Sequence, residues 1–301
     1  MILVVGSINM DVNIRVKSLP KPGETVLAKG ITQSPGGKGA NQAVAAAKAG
    51  GDVVMLGCVG ADEAGDALLA SLDQFGVNTK YIMRTKDVPS SKAYINISDD
   101  SENNIVVDSS ANWMVSPEYL LKHEELFRQA EYCILQLEIP SDSVYMAEQL
   151  SKKYGVKIVF NPSPIDSFEI RLLENVDTLI VNQTEGEILS QIPADEITDK
   201  DWQQLMEAHN IRSVVQTLGS RGSRLYVRDE EAVTFPAMKC EAIDTTGAGD
   251  TFLGALIAMY AEGKDDREAF RFAAAASGIE VTRPGTQSAM PTREEVLSKI
   301  K

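Results

Sequence analysis

The stretch Ala242-Ile243-Asp244-Thr245-Thr246-Gly247-Ala248-Gly249-Asp250-Thr251-Phe252-Leu253-Gly254 runs from small, flexible residues straight into a helical pattern. Phe252, Ala255, Leu256, Met259 and Tyr260 recur at helical spacing, which predicts a helix starting at or near Gly249, ending near Gly263, and burying one face. Its first backbone N–H groups have no intrahelical partner and carry the positive end of the helix dipole. Glycines just ahead of them let an anion reach the amides of Gly247, Ala248 and Gly249. Asp250 stands beside that hole, where a bound phosphate would repel a carboxylate. A second group arriving there, such as a hydroxyl that must lose its proton, explains it. A plain Gly-rich turn followed by an Asp favoured at a helix start fits the same letters.

Outward from this helix the chain alternates. Ile2–Val5, Val53–Cys58, Tyr132–Leu137, Lys157–Asn161, Thr178–Val181 and Ser213–Thr217 read as buried strands, separated by helical patterns such as Ala43–Ala49, Asp66–Gln74, Ser141–Lys153 and Thr184–Leu189. That order predicts an α/β fold, a three-layer sandwich around a mostly parallel sheet, as one domain over residues 1–301. A strand near Thr25–Leu27 and a hairpin, Ala93–Ser98 with Ile105–Val107 around the turn 99–104, have no place in such a sheet. They are assigned to a small β lid from about residues 10–33 and 90–112, which would exclude water from a phosphoryl donor. Its apolar face, Ile95, Ile97, Ile105 and Val107, needs cover, and a homodimer through the lid would supply it.

The presumed strands end in polar residues: Asn9 and Asp11 after the first, then Glu138, Asn161, Asn182 with Glu185, and Thr217 with Gly219. In a parallel sheet one edge collects them all, and ligands bind at that edge. Asn9 with Asp11 can grip vicinal hydroxyls of a sugar, or serve turn chemistry. Asn182 and Glu185 suit water-mediated Mg²⁺ and phosphate contact, or an ordinary helix start. Pro35-Gly36-Gly37-Lys38-Gly39-Ala40-Asn41-Gln42 is a second Gly-rich helix entry. It is not a Walker A loop, because no Ser or Thr follows the lysine. The amides of Gly219-Ser220-Arg221-Gly222 could hold a nucleotide.

A net charge of −14 argues against an extended nucleic-acid or anionic-membrane footprint, so a phosphorylated ligand needs a local positive site. Cys58, Cys133 and Cys240 are odd in number and lack metal spacing, so reduced core thiols are expected. Met1–Val5 is a short apolar run without a basic region, and no run reaches membrane-spanning length, so a cytoplasmic setting is expected. No GxGxxG follows the first strand, which disfavours a dinucleotide oxidoreductase.

With these residues placed, the chain resembles the ribokinase-like family of sugar kinases along essentially its whole length: GSINMD, PGGKGANQAVAAAKAG, QLEIP, NPSP, NQTEGE, TLGSRG, DTTGAGDTF and VTRPG follow in register. The resemblance implies ATP-dependent phosphorylation of the 5-hydroxyl of D-ribose. Asn9, Asp11, Gly37, Lys38, Gly39, Asn41 and Glu138 would bind the sugar, Asp250 would be the base, and the amides of Gly247, Ala248 and Gly249 the anion hole. Asn182, Thr217, Gly219, Ser220 and Gly222 would contact ATP, with Glu185 in a metal-phosphate motif for Mg²⁺. A K⁺ site would form from Asp244, Thr246, Glu280, Arg283 and Gly285, largely through carbonyl oxygens.

The chain departs from the family's pattern in three places. Ser91-Lys92 replaces Thr-Gly, Ser110-Ala111-Asn112 followed by Trp113 replaces Gly-Ala-Asn, and Ala289 stands where a cation-ligand Ser is usual. The first two bear on sugar preference and the third on cation affinity. A kinase for another sugar or a nucleoside, and a sugar- or nucleotide-binding relative without catalysis, are the competing readings.

Overall fold

The structure, a computed structural model, describes residues 1–100 and 102–300. Residue 101, inside the expected turn 99–104, and residue 301 lie outside the described residues. Strands β1 (Ile2–Val5), β2 (Asn9–Arg15) and β3 (Gly30–Gly36) precede helix α1 (Lys38–Lys48). Then come β4 (Val53–Leu56), β5 (Cys58–Gly60), α2 (Glu63–Gln74), β6 (Met83–Thr85), β7 (Ser91–Ile97) and β8 (Asn103–Asp108). The remainder runs α3 (Pro117–Lys122), α4 (Glu124–Gln129), β9 (Tyr132–Leu135), α5 (Ser141–Tyr154), β10 (Lys157–Phe160), β11 (Thr178–Val181), α6 (Gln183–Ser190) and α7 (Asp199–His209). After these follow β12 (Ser213–Thr217), β13 (Ser223–Val227), β14 (Val233–Phe235), α8 (Ala248–Ala261), α9 (Asp266–Glu280) and α10 (Arg293–Lys299).

The main sheet has eight strands in the order β14-β13-β12-β11-β10-β9-β1-β4. Six run parallel, and β13 is antiparallel to both of its neighbours. Alternate side chains feed two cores, as the two-residue period of a strand requires. Ile2, Val4, Met55 and Ile134 pack with α1, α2, α8 and α9, whereas Leu3, Val5, Leu56 and Leu135 pack with α3, α4, α5 and α7. Three layers result, with the strands buried on both faces, which is why their sequences are unbroken apolar runs. Among the described residues no helix is long and apolar enough to cross a membrane.

A separate four-stranded sheet, β3-β2-β7-β8, stands beside the main one and is the expected small β lid, with a different membership. Thr25–Leu27 is not a strand, and Leu27 is exposed. The turn around Gly23, at φ 81, carries the chain past that point, and β3 pairs with β2 instead. Pro35 and Gly36 read as loop residues, yet an edge strand tolerates a proline because its outer N–H groups need no partner. Within the apolar face, Ile105 and Val107 on edge strand β8 are exposed, but Ile95 on the inner strand β7 is buried. By register Ile95 pairs with Ile105, and Ala93 lies between Asp11 and Val107, so the face with these apolar residues continues to Asp11.

Three local expectations change. The strand predicted over 53–58 breaks at Gly57, after which β5 pairs with β6. Helix α8 is buried nearly all round from Asp250 to Met259 rather than along one face, because α1 and α9 cover it. Cys58 and Cys133 are buried thiols as expected, while Cys240 is exposed in the segment leading from β14 to α8.

Candidate active site

The polar residues after β1, β9, β10, β11 and β12 meet at one edge of the main sheet, where the small sheet and the starts of α1 and α8 face them. Asn9 and Asp11 are on β2 and point the same way, both buried. Gly36 leaves room for the Asp11 carboxylate, since a Cβ there would lie 2.1 Å from its Oδ2. Glu138 accepts hydrogen bonds from the Ser7 hydroxyl and, at 3.1 Å, from the Lys38 backbone N–H. Gly39 must be glycine, because a Cβ would sit 2.6 Å from the Ser7 nitrogen where α1 abuts the end of β1. Asn112 Nδ2 donates to Asn9 Oδ1 at 2.7 Å and so turns the Asn9 amide NH₂ toward Glu138.

Three carboxylates share this space. Burial first, then the Glu138 and Asp250 charges, pushes the Asp11 carboxyl up to about 7. Burial alone would lower the Lys38 ammonium, but Asp250, Glu138 and Glu185 together hold it above its ordinary value. A polyhydroxylated acceptor suits this mixture of acceptors and amide donors.

Asp250 is in the first turn of α8, buried, and held by two amides from α1: Asn41 Nδ2 donates to Oδ2 at 3.1 Å and Gln42 Nε2 to Oδ1 at 2.9 Å. Asn41 is oriented in turn by Gln287 Nε2, 3.0 Å from its Oδ1. Gly247 caps the helix at φ 89, a left-handed conformation that favours glycine.

On the other side of Ala248 and Gly249 lies a cavity of about 470 Å³. Thr217, Gly219, Ser220 and Gly222 line it, as does Phe252. Met238 and Cys240, from the segment after β14, and Ser277, Gly278 and Val281, from the end of α9 and the residue beyond it, also line it and were not foreseen. Gly278 makes room for Met238, whose Cβ would be 2.7 Å from a Cβ at that position. Asn182 and Glu185 are not among the lining residues. They close the N-terminus of α6 on each other, Asn182 N–H to Glu185 Oε2 at 2.8 Å and Glu185 N–H to Asn182 Oδ1 at 2.9 Å.

Behind the start of α8, residues 244–247 meet residues 280–287. Asp244 accepts from the Thr246 N–H at 3.0 Å and the Gly285 N–H at 3.2 Å. Glu280 is fully buried with neither carboxylate oxygen hydrogen-bonded, and burial, then Asp244 and Asp250, pushes it up to about 8. A Cβ on Gly247 would be 3.5 Å from Glu280 Oε1, so the orphaned carboxylate reaches the anion-hole loop. The Arg283 side chain is engaged elsewhere, paired with Glu295 at 2.7 Å, which leaves its main chain as the part that could serve an ion. Ala289 is buried and offers no hydroxyl. Among the described residues no group of three His, Cys, Asp or Glu side chains is placed to hold a metal ion.

A family profile described as pfkB family carbohydrate kinase matches residues 1–293. A ribokinase of Haemophilus influenzae is 38% identical over 295 residues, covering 98% of this chain and 96% of the relative. A deoxyribokinase of Salmonella typhi is 34% identical over 296 residues, covering 98% and 96%. Among solved structures, Arabidopsis thaliana ribokinase complexed with ribose and ATP superposes with a TM-score of 0.92 at 34% identity, over 100% of this chain and 98% of that one.

Proposed function

This chain belongs to the pfkB family of carbohydrate kinases, and from that premise we propose that it transfers the γ-phosphoryl group of ATP to the 5-hydroxyl of D-ribose. The observation that carries this reading is the place of Asp250. Its carboxylate is close enough to Asp11 and Lys38 for their charges to interact, while Ala248 and Gly249 of its own helix start line the 470 Å³ cavity.

Ribose hydroxyls are held by Asn9, Asp11, Asn41 and Glu138, with the Gly37, Lys38 and Gly39 segment closing against the sugar. ATP occupies the cavity along Thr217, Gly219, Ser220 and Gly222; Asn182, outside the cavity wall and tied to Glu185, would meet only phosphate that extends beyond it. As the bond from O5 to phosphorus forms and the bond to the ADP oxygen breaks, the hydroxyl proton passes to Asp250. The amides of Gly247, Ala248 and Gly249 receive the charge on the phosphoryl oxygens, and the Lys38 ammonium, already among carboxylates, offsets it. Positioning carries most of such a reaction.

Glu185 is buried with its Oε2 accepting from the Asn182 N–H, so its carboxylate would meet Mg²⁺ and phosphate through water, and the ion would neutralise ATP charge. The orphaned Glu280 carboxylate, with Asp244 and main-chain oxygens near Thr246, Arg283 and Gly285, fits K⁺, which would brace the anion-hole loop. Residues of the small sheet would act as the lid, and its exposed Ile105 and Val107 would meet a second copy in a homodimer. A cytoplasmic setting matches a phosphorylated product and buried, unpaired Cys58 and Cys133.

The test is a panel of ribose, 2-deoxyribose, fructose and a nucleoside with Mg-ATP, in potassium and in sodium-only buffer. Ribose is expected to give the highest kcat/KM, and potassium to raise the rate. A much faster rate with fructose or a nucleoside would overturn the substrate, and identical rates in both buffers would overturn the cation.

A further inference from the structure

Gln42 and Gln136 are fully buried polar side chains that stand in line with the base. Gln42 Nε2 donates to Asp250 Oδ1 at 2.9 Å and lies 3.3 Å from Asn161 Oδ1, while Gln42 Oε1 accepts from Gln136 Nε2 at 2.6 Å. Asn161 cannot turn over without loss, because its own Nδ2 donates to the Ile180 carbonyl at 3.0 Å.

The polarity of the line is therefore set at every joint. A carboxylate can only accept, so the Gln42 amide must present its NH₂ to Asp250 and its oxygen to Gln136. Gln136 must then present its NH₂ to Gln42, which leaves Gln136 Oε1 buried with no partner. An unmatched buried acceptor is costly, and turning the Gln136 amide over would set two oxygens against each other. Gly6 gives this amide its room, since a Cβ there would lie 2.0 Å from Gln136 Oε1.

We propose that Gln42 and Gln136 are positioning residues for the reaction: Gln136 locks the Gln42 amide so that Gln42 aims the Asp250 carboxylate at the acceptor hydroxyl. This rests on the reading of Asp250 as the base. The relay ties α8, which carries the base, to the end of β9, two residues before the sugar-binding Glu138. Substrate and base are thereby held to one frame, which matters because small misplacement of a catalytic group is costly.

The test is a double-mutant cycle with Gln42→Met, Gln136→Met and the double variant, measuring kcat and the KM for ribose and for ATP. Gln42→Met is expected to lower kcat about 10- to 100-fold with both KM values within about twofold of wild type. Gln136→Met is expected to lower kcat in the same manner, and to cause no further loss in the Gln42→Met background. Losses that multiply, a wild-type kcat in Gln136→Met, or an effect confined to KM would each overturn the relay. If Gln136→Met does not fold, Gln136→Asn keeps an amide but withdraws it from Gln42, and carries the same comparison. Asp250→Asn, assayed alongside, separates the two claims: full turnover there would remove the base itself, whereas its loss with a neutral Gln136 variant removes the relay alone.

Discussion

Gly254 of α8 lies against the main chain of Gln42 in α1: a Cβ at Gly254 would be 2.5 Å from the Gln42 carbonyl oxygen and 2.6 Å from the Ala45 Cβ. The alanine-rich face of α1 and this one missing side chain let the two helices approach closely enough for Asn41 and Gln42 to reach Asp250. Gly254→Ala therefore has to move backbone, not a flexible side-chain tip. We predict a stability loss of about 1–3 kcal/mol in denaturant unfolding. A kcat reduced about tenfold or more is expected with it, because the base loses its amide partners. An unchanged kcat at reduced stability would show that the helix spacing does not serve the base.

Asp11 supplies a pH dependence. Its carboxyl is raised to about 7, and it accepts from sugar hydroxyls best when ionised. The KM for ribose is predicted to be flat above pH 8 and to climb as pH falls through 7, while Asp11→Asn binds weakly at every pH. For stability the sign runs the other way. Between its ordinary 3.8 and about 7 the native state keeps a proton that the unfolded chain has released. This group thus favours the fold most below pH 3.8, and that contribution is lost as pH rises through about 7. Steady-state kinetics from pH 5.5 to 9 in constant ionic strength checks the first statement.

Far from the site, Glu148 on α5 is fully buried and both of its carboxylate oxygens lack partners. Burial first, then the Glu174 charge, pushes it up to about 9 from 4.5. Its proton stays on in the native state, so its contribution to stability is full below pH 4.5 and falls as pH rises through about 9. Glu148→Gln removes that dependence. The variant is predicted to be more stable than wild type by about 1–3 kcal/mol at pH 8, with the gap closing toward pH 4.5. Thermal unfolding at several pH values reads it, and equal slopes for the two proteins would contradict it.

The layer order was legible because strands buried on both faces read as unbroken apolar runs, and because helical patterns such as Ser141–Lys153 separate them. The edge where Glu138, Asn161 and Thr217 gather was legible for the same reason. Strand β3 was hidden by Pro35 and Gly36, whose pairing with β2 is a tertiary matter. The Gln42, Gln136 and Asn112 links span about a hundred residues of chain or more, and a lone Gln or Asn in an apolar stretch carries no spacing signal. Met238 and Cys240 were missed because a cavity wall taken from an irregular segment has no period to read.

The central claim is that Asp250 takes the proton from the 5-hydroxyl of ribose. The most direct measurement follows ¹³C-labelled ribose with Mg-ATP by ¹³C and ³¹P NMR, for the wild type and for Asp250→Asn. The predicted result is phosphorus coupled to C5 in the wild type, and a rate about 10²- to 10⁴-fold lower in the variant with ribose binding preserved by calorimetry. Phosphate appearing on another carbon, or an Asp250→Asn rate equal to wild type, would contradict the account.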